Sequence, residues 1–219
     1  MTHYIKYPRT FHVPWTGGKT SDDKMLSPGQ LASSTLAKGA VVVTTKRDGE
    51  NTSLYRDHYH ARSLDSRHHP SRDWVKGLHG RISYLIPEGW RICGENLYAR
   101  HSIEYRDLES YLEVFSIWNE KNEALSWSET KEWCELLGLR HVPVLYEGPF
   151  DAEKLRELAD GLDPQTQEGY VVRVAGSFHY DDFSGCVAKY VCEEFHQALQ
   201  ESDEHWMHKE VVPNQLRED

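Results

Sequence analysis

The sequence predicts an α+β fold with mostly antiparallel strands, and three observations carry that prediction. Short runs rich in β-branched and aromatic residues recur along the 219 residues, as strands require. Stretches with apolar residues at helical spacing, several opened by capping residues, fall between those runs. No internal repeat, low-complexity tract or Ser/Gly-rich linker interrupts the alternation, so one compact domain is expected, within a length that suits one large domain or two small ones.

The elements follow in chain order. Ala40–Thr45 and Asn51–Arg56 read as two strands joined by a tight Asp48-Gly49 turn. Ser71 is placed to cap a short helix carrying Trp74, Val75 and Leu78 at helical spacing. Trp90–Ala99 and Leu112–Trp118 read as strands. Ser126-Trp-Ser-Glu129 matches a capping box, and the helix behind it is expected to bury Trp133, Leu136 and Leu137 and to stop at Gly138. Asp151 opens another helix with Leu155, Leu158 and Leu162 on one side, ended by Asp163-Pro164. Tyr170–Val174 and Cys186–Val191 are strands, and roughly 193–208 reads as a polar helix.

Composition narrows the classes. Hydrophobic residues make up 38% and charged residues 27%, with seven Trp and twelve Tyr. That is enough apolar material for a sizeable core and argues against disorder. No apolar run reaches the roughly 18 residues of a membrane span, and the first residues show no apolar signal-peptide core. Cys93, Cys134, Cys186 and Cys192 form no C-x-x-C, which fits reduced thiols in a cytoplasmic protein. The net charge of −10 argues against bulk non-specific binding to nucleic acid. The charge is uneven, however: residues 56–81 hold six Lys/Arg against three acids, and residues 193–219 hold eight acids against two bases. A basic face and an acidic tail are one reading, and ordinary solvated surface is the other.

Four strings place charge on or beside apolar strands: Lys46-Arg-Asp48-Gly49-Glu-Asn51, Gly94-Glu95-Asn96, Glu168-Gly169-Tyr-Val-Val-Arg and Val187-Ala-Lys189-Tyr. Burying a charge is costly unless it is paired or binds a ligand. Two lysines and two glutamates from four strands can neutralise one another in a single cleft, or form ordinary buried ion pairs.

In order and spacing, these strings resemble the covalent nucleotidyltransferase superfamily of ATP-dependent DNA and RNA ligases and mRNA capping enzymes. Lys46-x-Asp48-Gly49 resembles motif I, and its continuation to Asn51 resembles the RNA-ligase branch. Gly94-Glu95 resembles motif III, Val114-Phe115-Ser-Ile-Trp118 motif IIIa, Glu168-Gly169 motif IV, and Lys189 motif V. The resemblance covers about residues 40–192. It implies an adenylation domain of the ATP-dependent ligase type, with mostly antiparallel sheets flanking a nucleotide cleft, over 1–192, and a short acidic, helical extension of the same domain over 193–219. Thirty residues follow Lys189 here, too few for the OB-fold that DNA ligases and capping enzymes add, so no OB-fold is expected and the RNA-ligase branch is favoured. Tyr7-Pro-Arg-Thr, Gly94-Glu-Asn-Leu-Tyr-Ala-Arg100 and His205-Trp-Met are similar to a group of small bacterial and phage RNA ligases.

The resemblance implies roles residue by residue. Lys46 attacks the α-phosphate of ATP, expels pyrophosphate and carries AMP as a phosphoramide. An amine attacks only when deprotonated and its free pKa lies near 10.4, so a place beside other cations and a metal is expected to favour the neutral form. Glu95 resembles the acceptor of the ribose hydroxyls, and Phe115 the aromatic stacked on adenine, unless it is plain core packing. Glu168 resembles the ligand of Mg²⁺ or Mn²⁺. Lys189 resembles the cation that neutralises the α-phosphate. Arg62 resembles a phosphate-contacting arginine, Asn51 an orienter of phosphate, and Thr45 and Asp48 join the nucleotide-binding set. The glycine of the Asp48-Gly49 turn suits an unusual backbone conformation close to the nucleotide. One departure stands out. Many relatives carry Lys-x-Lys in motif V, whereas Val187 holds the first position here, and Lys24 or Arg173 is expected to compensate.

The expected function is that of an ATP-dependent RNA ligase. AMP passes from Lys46 to a 5′-phosphate end, and a 3′-hydroxyl then displaces it. RNA ends are the expected partners, with end-healing or other repair proteins beside them, and Arg56, Arg67, Arg72 and Lys76 are the candidate RNA contacts. The alternatives are a minimal nick-sealing DNA ligase, a guanylyltransferase, or a non-catalytic nucleotide- or RNA-binding module on the same fold. Asp57-His58-Tyr-His60 with His68-His69 raises a zinc site, but the spacing matches no standard ligand pattern.

Overall fold

A computed structural model describes residues 4–200 and 210–218. The elements in chain order are β1 (Phe11–His12), α1 (Pro28–Ser33), β2 (Ala40–Lys46), β3 (Glu50–Leu54), β4 (Tyr59–Ala61), α2 (Asp73–Ile82), β5 (Arg91–Asn96), β6 (Leu112–Trp118) and β7 (Glu123–Ala124). They continue as α3 (Trp127–Leu137), β8 (Arg140–His141), β9 (Val144–Pro149), α4 (Ala152–Asp160), β10 (Gly169–Val174), β11 (Phe178–His179), α5 (Phe183–Cys186), β12 (Val187–Val191) and α6 (Glu193–Gln200). The described residues divide into two compact units, one of residues 4–8, 48–141 and 210–218, the other of residues 9–47 and 142–200. The fold is α+β and mostly antiparallel; the pairs β1–β12 and β6–β8 are parallel. Among the described residues no helix is long and apolar enough to cross a membrane.

The unit containing residues 48–141 is built on the strand order β7-β6-β5-β3-β4, with β8 beside β6. One sheet face carries Leu54, Ile92, Leu112, Val114 and Ile117 against Val75, Leu78 and Ile82 of α2 and Cys134 and Leu137 of α3. Burying each such side chain contributes about 1.5–3 kcal/mol. α3 keeps its expected capping box, with Ser126 Oγ accepting from Glu129 N and the Glu129 carboxylate accepting from Ser126 N. It ends at Gly138 in the left-handed conformation, φ 65°, where a Cβ would be strained. Leu136, expected inside, is 72% exposed, because the buried stripe of α3 runs through Trp127, Thr130, Cys134 and Leu137. α2 has Arg72 rather than Ser71 at its N-cap, since a 3-10 turn over Pro70–Arg72 precedes it and His69 caps that turn.

The other unit is a five-stranded sheet in the order β1-β12-β10-β2-β9. β2 and β3 therefore lie in different sheets, and the expected hairpin across Asp48-Gly49 does not form. The valines of β2 find their partners in β10 and β9 instead. With strands on both sides, Val41, Val42 and Val43 are 0–1% exposed, so β2 reads as a continuous apolar run rather than an alternating one. α4 starts at Asp151, whose carboxylate accepts from Glu153 N and Lys154 N, and buries Leu155 and Ala159. The polar helix expected over 193–208 is α6 over its first eight residues; the remainder, with His205-Trp-Met, lies outside the described residues. All four cysteines are buried free thiols.

Candidate active site

Lys46 is the last residue of β2, and Gly169, the first residue of β10, is its cross-strand partner. Glu168 therefore comes off the strand end beside the lysine, and Lys46 Nζ donates to Glu168 Oε2 at 2.5 Å. The glycine is required by packing, since a Cβ at Gly169 would lie 2.0 Å from the Tyr190 carbonyl oxygen of β12. Glu168-Gly169 is thus a unit in which the glycine lets three strands close and the glutamate supplies the anion.

Lys189 lies in the middle strand register row His12–Lys189–Val171–Thr44. Alternation puts it on the same sheet face as Lys46, two rows away. Its Nζ lies 3.5 Å from Asp23 Oδ1, and Asp23 Oδ1 lies 3.4 Å from His12 Nε2. Asp23 also accepts from Thr20 N and Oγ1, both at 3.0 Å, and His12 Nδ1 bonds Thr16 Oγ1 at 3.0 Å. Backbone bonds from His12 N to Lys24 O and from Leu26 N to His12 O clip the 13–25 loop against β1.

Burial and the Lys189 charge hold His12 down at a pKa of about 4, so it is neutral near pH 7. Burial pushes Asp23 up, but the Thr20 hydrogen bonds and the Lys189 charge outweigh it and leave the carboxyl well below the usual range. Burial, then the Lys46 charge, lowers Lys189. One face of this sheet therefore gathers two lysines, two carboxylates and a neutral imidazole, a set in which an incoming anion can exchange for Glu168 or Asp23.

Neither His12 nor Asp23 was singled out by the sequence. β1 is two residues long and shows no periodicity, and Asp22-Asp23 sits in a Gly/Thr/Ser/Lys stretch that reads as an ordinary loop. Of the two cations expected to compensate for Val187, Arg173 stands directly opposite Val187 in the β10–β12 register, on the same face. Its Nε donates to Val174 O and its guanidinium faces the Phe178 ring. Lys24 is exposed, over the Phe11 ring. The Thr45 side chain lies on the opposite face from Lys46, in the row of Tyr170 and Tyr190.

The remaining candidates belong to the other unit. Asp48 anchors the chain where it leaves Lys46-Arg47: its Oδ2 accepts from Ser102 N at 2.7 Å and Ile103 N at 2.8 Å, and its own N–H donates to Tyr105 Oη at 2.9 Å. Gly49 is set by close approach rather than by an unusual φ, which is not positive there. An added Cβ would lie 2.6 Å from the Asn96 carbonyl oxygen. Asn51, Glu95 and Glu113 form one cross-strand row of β3, β5 and β6. Asn51 Oδ1 is buried with no hydrogen-bond partner among the described residues, an orphan acceptor that a ligand N–H or O–H would satisfy. Glu113, only 4% exposed, is a member of this row that the sequence strings did not point to.

Phe115 is the extra residue of a β-bulge, since the register steps from Cys93↔Ser116 to Gly94↔Val114. Bulges re-aim a side chain, and Phe115 is half-buried with the Tyr7 ring edge-on to it at 5.1 Å. Arg62, Arg56, Arg67 and Lys76 are exposed. Arg72 is not: it is 8% exposed and clasps the Glu50 carboxylate through Nε, at 2.7 Å, and Nη2. Among the described residues no group of three or more His, Cys, Asp or Glu is arranged to hold a metal ion.

The RNA ligase family profile matches residues 39–191. No curated protein sequence matches significantly. Solved structures do. A Naegleria gruberi RNA ligase variant with ATP and Mn aligns over 91% of this chain and 63% of its own, with a TM-score of 0.56 and 16% identity. The Naegleria gruberi RNA ligase with PPi aligns over 91% and 64%, with a TM-score of 0.55 and 18% identity. An archaeal ATP-dependent RNA ligase aligns over 88% and 50%, with a TM-score of 0.56 and 18% identity. The chain spans less than two thirds of the length of these proteins, and at such identities the likeness concerns the fold. With a profile match over most of its length, running from just before β2 to the end of β12 and so spanning Lys46, Glu168 and Lys189, the chain belongs to the RNA ligase family.

Proposed function

We propose that the chain is an ATP-dependent RNA ligase, acting through one adenylyltransferase domain over 1–192 with 193–219 as its extension, in the cytoplasm. The observation that carries the reading is the disposition of Lys46: at a strand end, 2.5 Å from Glu168, on one sheet face with Lys189. In the reaction the Lys46 amine attacks the α-phosphorus of ATP. A P–N bond forms, the bond to the β-phosphate oxygen breaks, and pyrophosphate leaves with that electron pair. AMP then passes to a 5′-phosphate RNA end, and a 3′-hydroxyl displaces it.

An ammonium donating to a carboxylate is no nucleophile. Glu168, which accepts from the Lys46 ammonium, is the residue that would hold a divalent cation, and Lys46 attacks only after its proton has passed to water. A single carboxylate suits Mg²⁺ or Mn²⁺, which keep waters and take their other ligands from substrate phosphates. The metal supplies charge neutralisation at those phosphates. Lys189, held by Asp23, faces the developing charge on the α-phosphate. Asn51, Glu95 and Phe115 bind the nucleoside, with Arg62 on phosphate and Asp48 acting through the turn it anchors. Arg56, Arg67 and Lys76 contact the RNA backbone, and end-healing enzymes are the partner class that would supply 5′-phosphate and 3′-hydroxyl ends. The relatives solved with ATP, Mn and PPi support this assignment.

Mass spectrometry after incubation with ATP and Mg²⁺ tests the reading. One added AMP is expected on the wild type and none on Lys46→Ala. A chain that gains no mass, or a variant that keeps the gain, overturns it. Parallel reactions with GTP, and with nicked RNA and DNA duplexes, fix the nucleotide and the polymer.

A further inference from the structure

The segment 210–218 lies in the same unit as the Asp48-Gly49 turn and is tied to the loop that holds it. Asn214 is 2% exposed. Its Nδ2 donates to Leu97 O at 2.7 Å and to Ala99 O at 3.4 Å, and its Oδ1 accepts from Tyr105 N at 2.9 Å. Its backbone N–H donates to Tyr98 O at 2.8 Å, and its carbonyl accepts from Tyr111 Oη at 2.9 Å. Around it run backbone bonds from Arg100 N to Val212 O, Leu108 N to Gln215 O, Gln215 N to Tyr105 O and Arg217 N to Leu108 O.

The same loop, residues 97–109, delivers the Ser102 and Ile103 amides and the Tyr105 hydroxyl that fix Asp48, with the His101 ring 4.0 Å from its Oδ1. A loop of this length with no regular structure is usually mobile, and catalytic groups need support held to within about half an ångström. A segment meant only to cover the loop would do so with backbone bonds and Leu216. A buried amide with both ends satisfied is costly to misplace, and so specifies one register.

We propose that Asn214 is a positioning residue for the adenylation reaction. It locks Tyr105 and the loop 97–109, and through them fixes Asp48 and the turn that follows Lys46 in the chain. The proposal rests on the reading of Lys46 as nucleophile.

Its test compares Asn214→Ala, Tyr105→Phe, the double variant and Arg217→Ala, whose residue pairs with Asp107 on the exposed side of the same segment. Rates of lysyl-AMP formation are measured at saturating ATP, with amide exchange at Ser102 and Ile103. Each of the first two variants is expected to slow the reaction tenfold or more, the double no further than the slower single, and Arg217→Ala not at all. Exchange at the two amides should quicken in Asn214→Ala. Rates within twofold of wild type, effects that multiply, or unchanged exchange overturn the proposal. Should Asn214→Ala not fold, Tyr105→Phe decides alone, since it removes only the hydroxyl on Asp48 N; a rate within twofold of wild type then overturns the link. A wild-type chain that forms no lysyl-AMP refutes the function assigned above, while the exchange measurements still test the positioning role.

Discussion

Asp23→Asn is the sharpest probe of the electrostatics around Lys189. The wild-type carboxylate sits 3.5 Å from the ammonium, and both side chains are about one-fifth exposed, at 20% and 19%. At an effective dielectric of about 20 the attraction is roughly 5 kcal/mol, and the desolvation of both charges offsets a large part of it. Removing one charge leaves the other partly buried without its partner. Because neither group is fully enclosed, the expected loss is about 2–3 kcal/mol, below the roughly 3–5 kcal/mol of a fully buried pair. In a chain of this size that corresponds to a fall in Tm of very roughly 5–10 °C.

Lys189→Met should cost a similar amount. The double variant should cost about 2 kcal/mol less than the two together, because the charge left unpaired in each single is then gone. Urea unfolding of the four proteins measures the cycle. Lysyl-AMP formation adds a second readout. Asp23 holds Lys189 up against burial and the Lys46 charge, so Asp23→Asn should lose activity at a lower pH on the alkaline side. Single effects that add within about 0.5 kcal/mol would show that Asp23 and Lys189 are neighbours without a functional pair.

Four further outcomes are expected. Gly49→Ala should lose activity and at least ~1–3 kcal/mol of stability, because its Cβ meets the backbone oxygen of Asn96 rather than a side chain that can move; an unaffected variant would contradict the packing argument. His12 has a folded pKa of about 4 against an ordinary 6.5. The unfolded chain therefore binds more protons between those values, and stability should fall by up to about 3 kcal/mol as pH drops from 6.5 to 4, a slope that His12→Gln should flatten in pH-dependent unfolding. Arg72→Met should cost about 3–5 kcal/mol by stranding Glu50, with recovery in Glu50→Leu/Arg72→Met, as urea midpoints will report. Arg67→Ala should leave stability within ~0.5 kcal/mol and lower the salt slope of RNA binding by about one; an unchanged slope removes Arg67 from the RNA surface.

Much of the fold was legible because its signals are local. The capping box at Ser126, the glycine stop at Gly138 and the Asp151 cap depend on a few consecutive residues, and each formed as read. The misread elements depend on partners far along the chain. Ala40–Thr45 and Asn51–Arg56 look like two arms of a hairpin, yet which strand pairs with which is fixed by burial against β10, β9, β5 and β4. Leu136 fits a helical stripe in sequence but falls outside the one that packs. Arg72 counted as part of a basic surface until the neighbouring Glu50 claimed it.

The sequence by itself determined the family and the place of the proposed nucleophile, because Lys-x-Asp-Gly at a strand end, followed at long intervals by Glu-Gly and Lys, is a linear pattern that survives without coordinates. The tertiary structure alone decided what surrounds those residues. It brought His12 of the two-residue β1 and Asp23 of a featureless loop to Lys189, set Phe115 on a bulge, and closed residues 97–109 around Asn214. Hydrogen bonds and ion pairs are short-ranged and indifferent to separation along the chain, so groups 166 or 109 residues apart become neighbours only when the backbone between them has folded.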